Sequence, residues 1–210
     1  VRARDISRPL VIVNRFTVRG DTEAFEHALR EHAQFLRRRD GFDFLTTMRL
    51  LDRPDVYLHF GHWRSLRDFI TMARDATLFA RIRRFARMVE TEADQAVSLG
   101  RTVLRDARAG SASILLVHAG AVADTEAFET GFREFTAECA RLDGFGGSEL
   151  LRSDLSPGGY LGLMWWQDTD ACERALADEG LNASRAGLAL LAELAMERGC
   201  HIAYEGALRS

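Results

Sequence analysis

The chain is a tandem repeat. Asp21-Thr22-Glu23-Ala24-Phe25-Glu26 recurs as Asp124-Thr125-Glu126-Ala127-Phe128-Glu129, an offset of 103 residues. The same offset carries Arg30-Glu31 to Arg133-Glu134 and Asp40-Gly41-Phe42 to Asp143-Gly144-Phe145. It also carries Arg49 to Arg152, Tyr57-Leu58 to Tyr160-Leu161 and Trp63 to Trp166, with no gap. An ordered, gap-free series of this kind is the mark of a duplicated structural unit. The two units span about 9–105 and 112–208, which divides the chain into domains 1–105 and 112–210 with a polar linker at 106–111.

Each unit reads the same way. Leu10–Val18 is an apolar, β-branched run, as expected of a strand. Asp21 is placed to cap a helix over 22–39, because Phe25, Ala28, Leu29, His32, Phe35 and Leu36 fall at helical spacing. Phe44–Leu51 and Val56–Trp63 flank a turn at Asp52–Asp55 and predict a hairpin. Ser65 opens a second helical region, broken near Arg74-Asp75 and resumed through Val89, and a last strand is expected over Ala96–Leu104. The second unit predicts strands at Ile114–Ala121, Ser148–Ser153, Tyr160–Trp166 and Cys200–Tyr204, with helices over 125–142 and 169–197. The order β-α-β-β-α-β is that of the ferredoxin-like unit, so the expected fold class is α+β. A four-stranded sheet with helices on one face leaves its other face to be covered. The expectation is that the two sheets pack as an α+β barrel, within one chain acting as a fused pseudo-dimer or in a homodimer of it.

Composition narrows the function. The 210 residues are 47% hydrophobic and 28% charged, a globular balance that argues against disorder. All 28 basic residues are Arg, and they are interleaved with 31 acids for a net charge of −3, a poor nucleic-acid signature. No apolar run approaches the roughly 20 residues that span a bilayer, and the first nine residues are polar and basic, so neither membrane span nor signal peptide is expected. Cys139, Cys172 and Cys200 form no CxxC pair, and a cytoplasmic protein is expected.

The candidate chemistry lies on the strand 56–63. Side chains alternate between faces, so Tyr57, His59, Gly61 and Trp63 share one face and His62 points to the other. The equivalent face of the second unit carries Tyr160, Gly162, Met164 and Trp166. The repeat also replaces His32 by Phe135, Asn14 by Val117 and Arg83 by Ala186. The first unit therefore carries polar groups where the second carries apolar ones. The expectation is a cavity between the first unit's sheet and helices, lined by His59, Trp63 and His32, with a filled core in the second. Substituting His for Gly162 is accordingly expected to do little. Arg49 and Arg152 are kept in both units and read as structural, and the run Arg81, Arg83, Arg84, Arg87 reads as a solvated helix face with at most one member turned inward. No zinc-type ligand cluster, GxGxxG, P-loop or GxSxG elbow is present. An aromatic pocket with histidines, an Asn and an Arg suits a flat phenolic ligand and the movement of its protons.

On these residues the chain resembles the antibiotic biosynthesis monooxygenase family of dimeric α+β barrels, as two copies. Trp63-Arg64-Ser65 resembles the family's E-x-W-x-S box, with Gly61 in the place of the Glu. In the anthrone-oxygenase branch an Asn precedes the Trp by four positions, where His59 stands here. That branch has a helix Tyr matched in position by Phe69, and an Arg matched by Arg83; fused-copy chains also resemble angucycline ring-opening oxygenases. The resemblance implies a monooxygenase of aromatic polyketide biosynthesis that oxidises a polycyclic phenol or hydroquinone with O2. It needs no metal and no tightly bound cofactor; reduced flavin from a partner reductase is the variant electron source. It implies His59 and Trp63 as the catalytic residues, and His32, Asn14, Tyr57, Phe69 and Arg83 around the substrate. A non-oxygenating polyketide cyclase or ligand-binding protein of the same fold is the alternative. The haem-degrading relatives need a late helical His, and residues 64–117 contain none.

Overall fold

Aspartate or serine stands before every helix and starts it. Asp21, Ser65, Asp75, Asp124, Asp168 and Asp178 each accept a hydrogen bond from a backbone N–H of the first turn. The computed structural model describes residues 5–106 and 108–208. The ends of the expected domains, 1–4 and 209–210, and Ala107 of the expected linker lie outside the described residues. The first repeat forms β1 (Leu10–Val18), α1 (Thr22–Leu36), β2 (Phe42–Leu50), β3 (Val56–Trp63), α2 (Leu66–Ala73), α3 (Ala76–Met88) and β4 (Val89–Val103). The second forms β5 (Ser113–Gly120), α4 (Thr125–Cys139), β6 (Phe145–Ser153), β7 (Tyr160–Trp166), α5 (Thr169–Leu176), α6 (Glu179–Ala189) and β8 (Glu193–Gly206).

The fold class is α+β, two antiparallel ferredoxin-like sheets with the strand orders β4-β1-β3-β2 and β8-β5-β7-β6. Two segments differ from the sequence reading. β4 begins at Val89 rather than Ala96, and the helical region expected over 169–197 stops at Ala189, where β8 soon follows. Leu188–Met196 is rich in helix-forming Leu and Ala, but Glu193–Cys200 pairs residue by residue with β5. Strand pairing across the sheet overrides local propensity there. By compactness, residues up to Ala96 with those from Ile202 onward form one unit, and Val97–His201 form the other, so compact units and sequence repeats differ at their ends. In the expected linker, Gly110 donates to the carbonyl of His201, and His201 to that of Ala112, which ties this segment to β8. Among the described residues no helix is long and apolar enough to cross a membrane.

The helix-side cores differ between the units. In the second unit one continuous cluster runs from Val122 and Phe128 through Phe132, Phe135 and Met164 to Trp166 and Leu188. In the first unit the core is in two pieces. One gathers Leu10, Leu36, Phe42, Trp63, Met72 and Leu78; the other gathers Phe16, Phe25, Leu29, Tyr57 and Val89. The reason lies on the central strands. Met164 fills the second sheet where the first has Gly61, and its sulfur lies 4.0 Å from the Cys139 thiol. The ring of Phe132 lies over Gly162 so closely that a Cβ there would overlap it. A His at Gly162 has no room, because the space is already occupied. The variant is expected to lose about 1–3 kcal/mol of unfolding free energy through overpacking, read from urea unfolding against the parent chain.

Candidate active site

The gap between the two pieces of the first unit's core is a cavity of about 440 Å³. The sheet contributes Ile12, Asn14, Phe16, His59, Gly61, Trp63 and Thr91; the helices contribute His32, Leu36, Phe69, Met72 and, from α3, Leu78, Phe79, Ile82, Phe85 and Ala86. A dry void of 440 Å³ would cost on the order of 10 kcal/mol at about 24 cal/mol per Å³. That matches the whole stability of an ordinary domain. The cavity opens to solvent through an apolar rim: Phe79 is 63% and Ile82 50% exposed. A second, wider groove of about 620 Å³ runs along α4 and α6, but it is lined by Asp124, Glu126 and Glu134 and holds no histidine.

Strand register explains the polar groups. On β1, β3 and β2, Asn14 pairs with His59 and His59 with Thr47, so the three stand in one row on the helix-facing side. Thr47 Oγ1 lies 2.9 Å from His59 Nδ1, and both residues are buried. The corresponding row of the second sheet is Val117, Gly162 and Leu150. Thr47 was missed in the sequence, although its replacement by Leu150 at the same offset was legible. One turn of logic applies to both ends of this row: the first unit is polar where the second is apolar.

His32 projects from α1 onto the same space. Its ring centroid is 6.4 Å from that of His59, and its Nδ1 is buried with no hydrogen-bond partner among the described residues. Trp63 stands beside Gly61, edge-on to Phe42 at 5.4 Å and to Phe69 at 5.6 Å. A Cβ built on Gly61 would lie 3.7 Å from the indole Nε1 of Trp63, so this glycine opens space next to that donor.

Two residues expected at the site are elsewhere. Tyr57 shares the face of His59 but lies in the other piece of the core, against Phe25 at 4.9 Å. Its hydroxyl donates to Glu26 at 2.9 Å, and Glu26 also meets Arg49 at 3.4 Å. The second unit repeats this trio as Tyr160, Glu129 and Arg152, so its role is structural in both. Burial and the Glu26 hydrogen bond push the Tyr57 phenol up to about 12. Arg83 is on the exposed side of α3 and does not line the cavity. The residues that α3 turns inward are Leu78, Phe79, Ile82, Phe85 and Ala86, and the arginines lie on the opposite side of an amphipathic helix. His62, as expected, faces away and stacks on Phe44 at 3.9 Å.

Electrostatics keep the site uncharged. Burial, and then the nearby Arg81, lower His32 to about 4. Burial, and then His32 and His62, lower His59 to about 3. Both imidazoles are neutral at physiological pH and can each offer one donor and one acceptor. Among the described residues no group of three or more His, Cys, Asp and Glu is placed to hold a metal ion.

The comparisons with known proteins bear on the fold. No protein-family model and no curated protein matches the sequence. Solved structures do. An anthrone oxidase-like protein is 15% identical, with a TM-score of 0.72 over 96% of this chain and 94% of its own. A proposed monooxygenase from Fusobacterium nucleatum is 9% identical, with a TM-score of 0.77 over 96% of this chain and 97% of its own. A ferredoxin-fold protein of Listeria monocytogenes, related to antibiotic biosynthesis monooxygenases, is 8% identical, with a TM-score of 0.53 over 94% of this chain and 95% of its own. Over 94–96% of its length the chain shares the fold of these proteins.

The depressed histidines make folding pH-dependent in a defined direction. Their folded values lie below the unfolded value of about 6.5, so below that pH the unfolded chain binds more protons. Stability is fully present above pH ~6.5 and falls as pH drops toward about 4, by up to about 1.4 kcal/mol per pH unit for each histidine. Urea unfolding between pH 7 and 5 should show this slope, and His32→Phe, which copies Phe135, should roughly halve it. An unchanged slope in the variant would place the acid sensitivity elsewhere.

Proposed function

We propose that the first unit is the active site of an oxygenase that uses O2 on a polycyclic phenol or hydroquinone of the aromatic polyketide type. The second unit is its structural partner. The observation that carries this reading is the aromatic-walled cavity of about 440 Å³ with two neutral imidazoles, absent as a set from the duplicate. Its volume lies in the range of small-molecule sites, and its few polar groups converge on one region. Fold likeness to an anthrone oxidase-like protein and a proposed monooxygenase supports the choice of chemistry.

The substrate supplies the electrons. For an anthrone-type CH2 the balance is CH2 plus O2 giving C=O plus water. The phenol loses its proton to His59, the anion passes an electron to O2, and the two radicals combine at carbon. The peroxide then loses water to leave a quinone, or collapses with cleavage of a C–C bond. His59 alone is a weak base, since its conjugate acid is held at about 3 by burial. A phenolate formed about 4 Å away would stabilise the imidazolium by about 4 kcal/mol at an effective dielectric of about 20. That is worth roughly three pKa units, which returns His59 to a working range only when substrate is bound.

Thr47 decides which nitrogen does the work. If its hydroxyl accepts from Nδ1–H, the Nε2 of His59 is the free acceptor. Trp63 and Asn14 are placed to hydrogen-bond or stack on the oxygenated ring. Phe69 packs behind Trp63 and forms wall rather than donor.

The test is oxygen uptake with a hydroxyanthrone, run without flavin and again with reduced flavin and its reductase. His59→Ala should lower kcat by about 100-fold or more with circular dichroism unchanged. Thr47→Val should lower kcat at least about tenfold while Thr47→Ser restores it. Product formed equally well without O2 would favour the cyclase or binding alternative instead.

Gly61→Met, copying Met164, should close the cavity without backbone strain, because only ordinary contacts await a Cβ there. It should raise the urea midpoint by filling the gap and abolish substrate binding. Retained binding would move the site away from Gly61.

A further inference from the structure

We propose that this cavity selects polycyclic aromatic ligands that carry no ionised substituent on the ring system, and that it rejects ring carboxylates. The inference rests on the reading of the cavity as an aromatic site and adds the charge class of what enters it.

Among the described residues lining the cavity there is no Asp, Glu or Arg, in a chain that is 28% charged. The polar members are Asn14, His32, His59, Thr91 and the indole of Trp63, all neutral. The helix best placed to supply a cation is α3, which carries Arg81, Arg83, Arg84 and Arg87. None of these lines the cavity. Two are engaged outside it: Arg84 pairs with Glu31 at 2.7 Å, and Arg81 lies 4.8 Å over the ring of Phe35 with a hydrogen bond to the Glu31 carbonyl. Arg39 also lies over the Phe35 ring, at 3.8 Å, and pairs with Asp75.

A carboxylate moved into such a wall loses its hydration and meets no charged side chain on it; the nearby Arg81 is held outside, over Phe35 and on the Glu31 carbonyl. Burial of an unpaired ion costs several kcal/mol even after relaxation. A phenol or quinone loses far less and finds donors and acceptors at Asn14, His32 and His59. The apolar rim of Phe79 and Ile82 imposes the same filter at entry. It also fits the proton chemistry: the cavity holds one anion at a time, the phenolate and then the reduced oxygen, beside the imidazolium created with it.

The experiment is equilibrium binding followed by tryptophan fluorescence at pH 7, with three probes that do not react with O2. They are a dihydroxyanthraquinone, the same ring with one carboxylate, and the same ring with a primary carboxamide at that position. The parent and the carboxamide should bind with similar Kd, and the carboxylate at least about 30-fold more weakly. A carboxylate Kd within about threefold of the carboxamide's would overturn the selection, because charge would then be tolerated. Equal weakening of carboxamide and carboxylate would overturn it too, since size rather than charge would be excluded. Each titration is repeated on Gly61→Met. If no probe binds, or binding survives that substitution, the aromatic-site reading itself fails, which is a different result from loss of the charge preference alone.

Discussion

Everything in this molecule depends on how the layer between a four-stranded sheet and its helices is filled. A sheet of this kind has one helix-covered face, and that face must exclude water with side chains from both layers. In the second unit Met164, Phe132 and Phe135 complete the layer, and the core is one continuous cluster. In the first unit Gly61, Leu29 and His32 stand at those positions and the layer is split in two. The same backbone pattern thus yields a packed core in one copy and a cavity in the other. The difference comes from the volume and polarity of a few side chains.

That division of labour has an energetic logic. Cavities and buried histidines lower stability, and a single small unit has little to spare. In this duplicated chain one copy keeps a continuous core while the other carries the cost of the cavity. The trios Glu26–Tyr57–Arg49 and Glu129–Tyr160–Arg152 are shared and hold helix to sheet in both units. The row Asn14–His59–Thr47 against Val117–Gly162–Leu150 is not shared, and it separates the copy with the cavity from the copy with the continuous core. Trp166 keeps an indole N–H that is buried with no partner among the described residues, whereas Trp63, its equivalent, lines the cavity. The packed copy retains a donor whose counterpart has somewhere to point.

The differences between the two repeats carry more information about the interior than either repeat alone. Offset comparison found His59, His32 and Asn14, and all three line the cavity. Applied to the hairpin's first strand it would also have found Thr47. It marked Arg83 as well, and there it misled: Arg83 to Ala186 is a change on a solvent-facing side of α3, where residue identity drifts without consequence for the interior. Tyr57 was placed on the correct face but in the wrong compartment, because period-two alternation assigns a face and says nothing of position along it.

The sequence by itself determined the duplicated α+β architecture, the order of elements, the caps Asp21 and Ser65 and the face on which the polar groups stand. Those follow from local periodicity and from the repeat, which are one-dimensional properties. Only the tertiary structure decided where β4 and β8 begin, since strand pairing outweighs helix propensity there. Only it showed that Phe79, Ile82 and Phe85 of α3 border a cavity, and that the space above Gly61 stays open while that above Gly162 is taken by Phe132. These are matters of which side chains meet across layers, and chain-distant contacts leave no trace in local spacing.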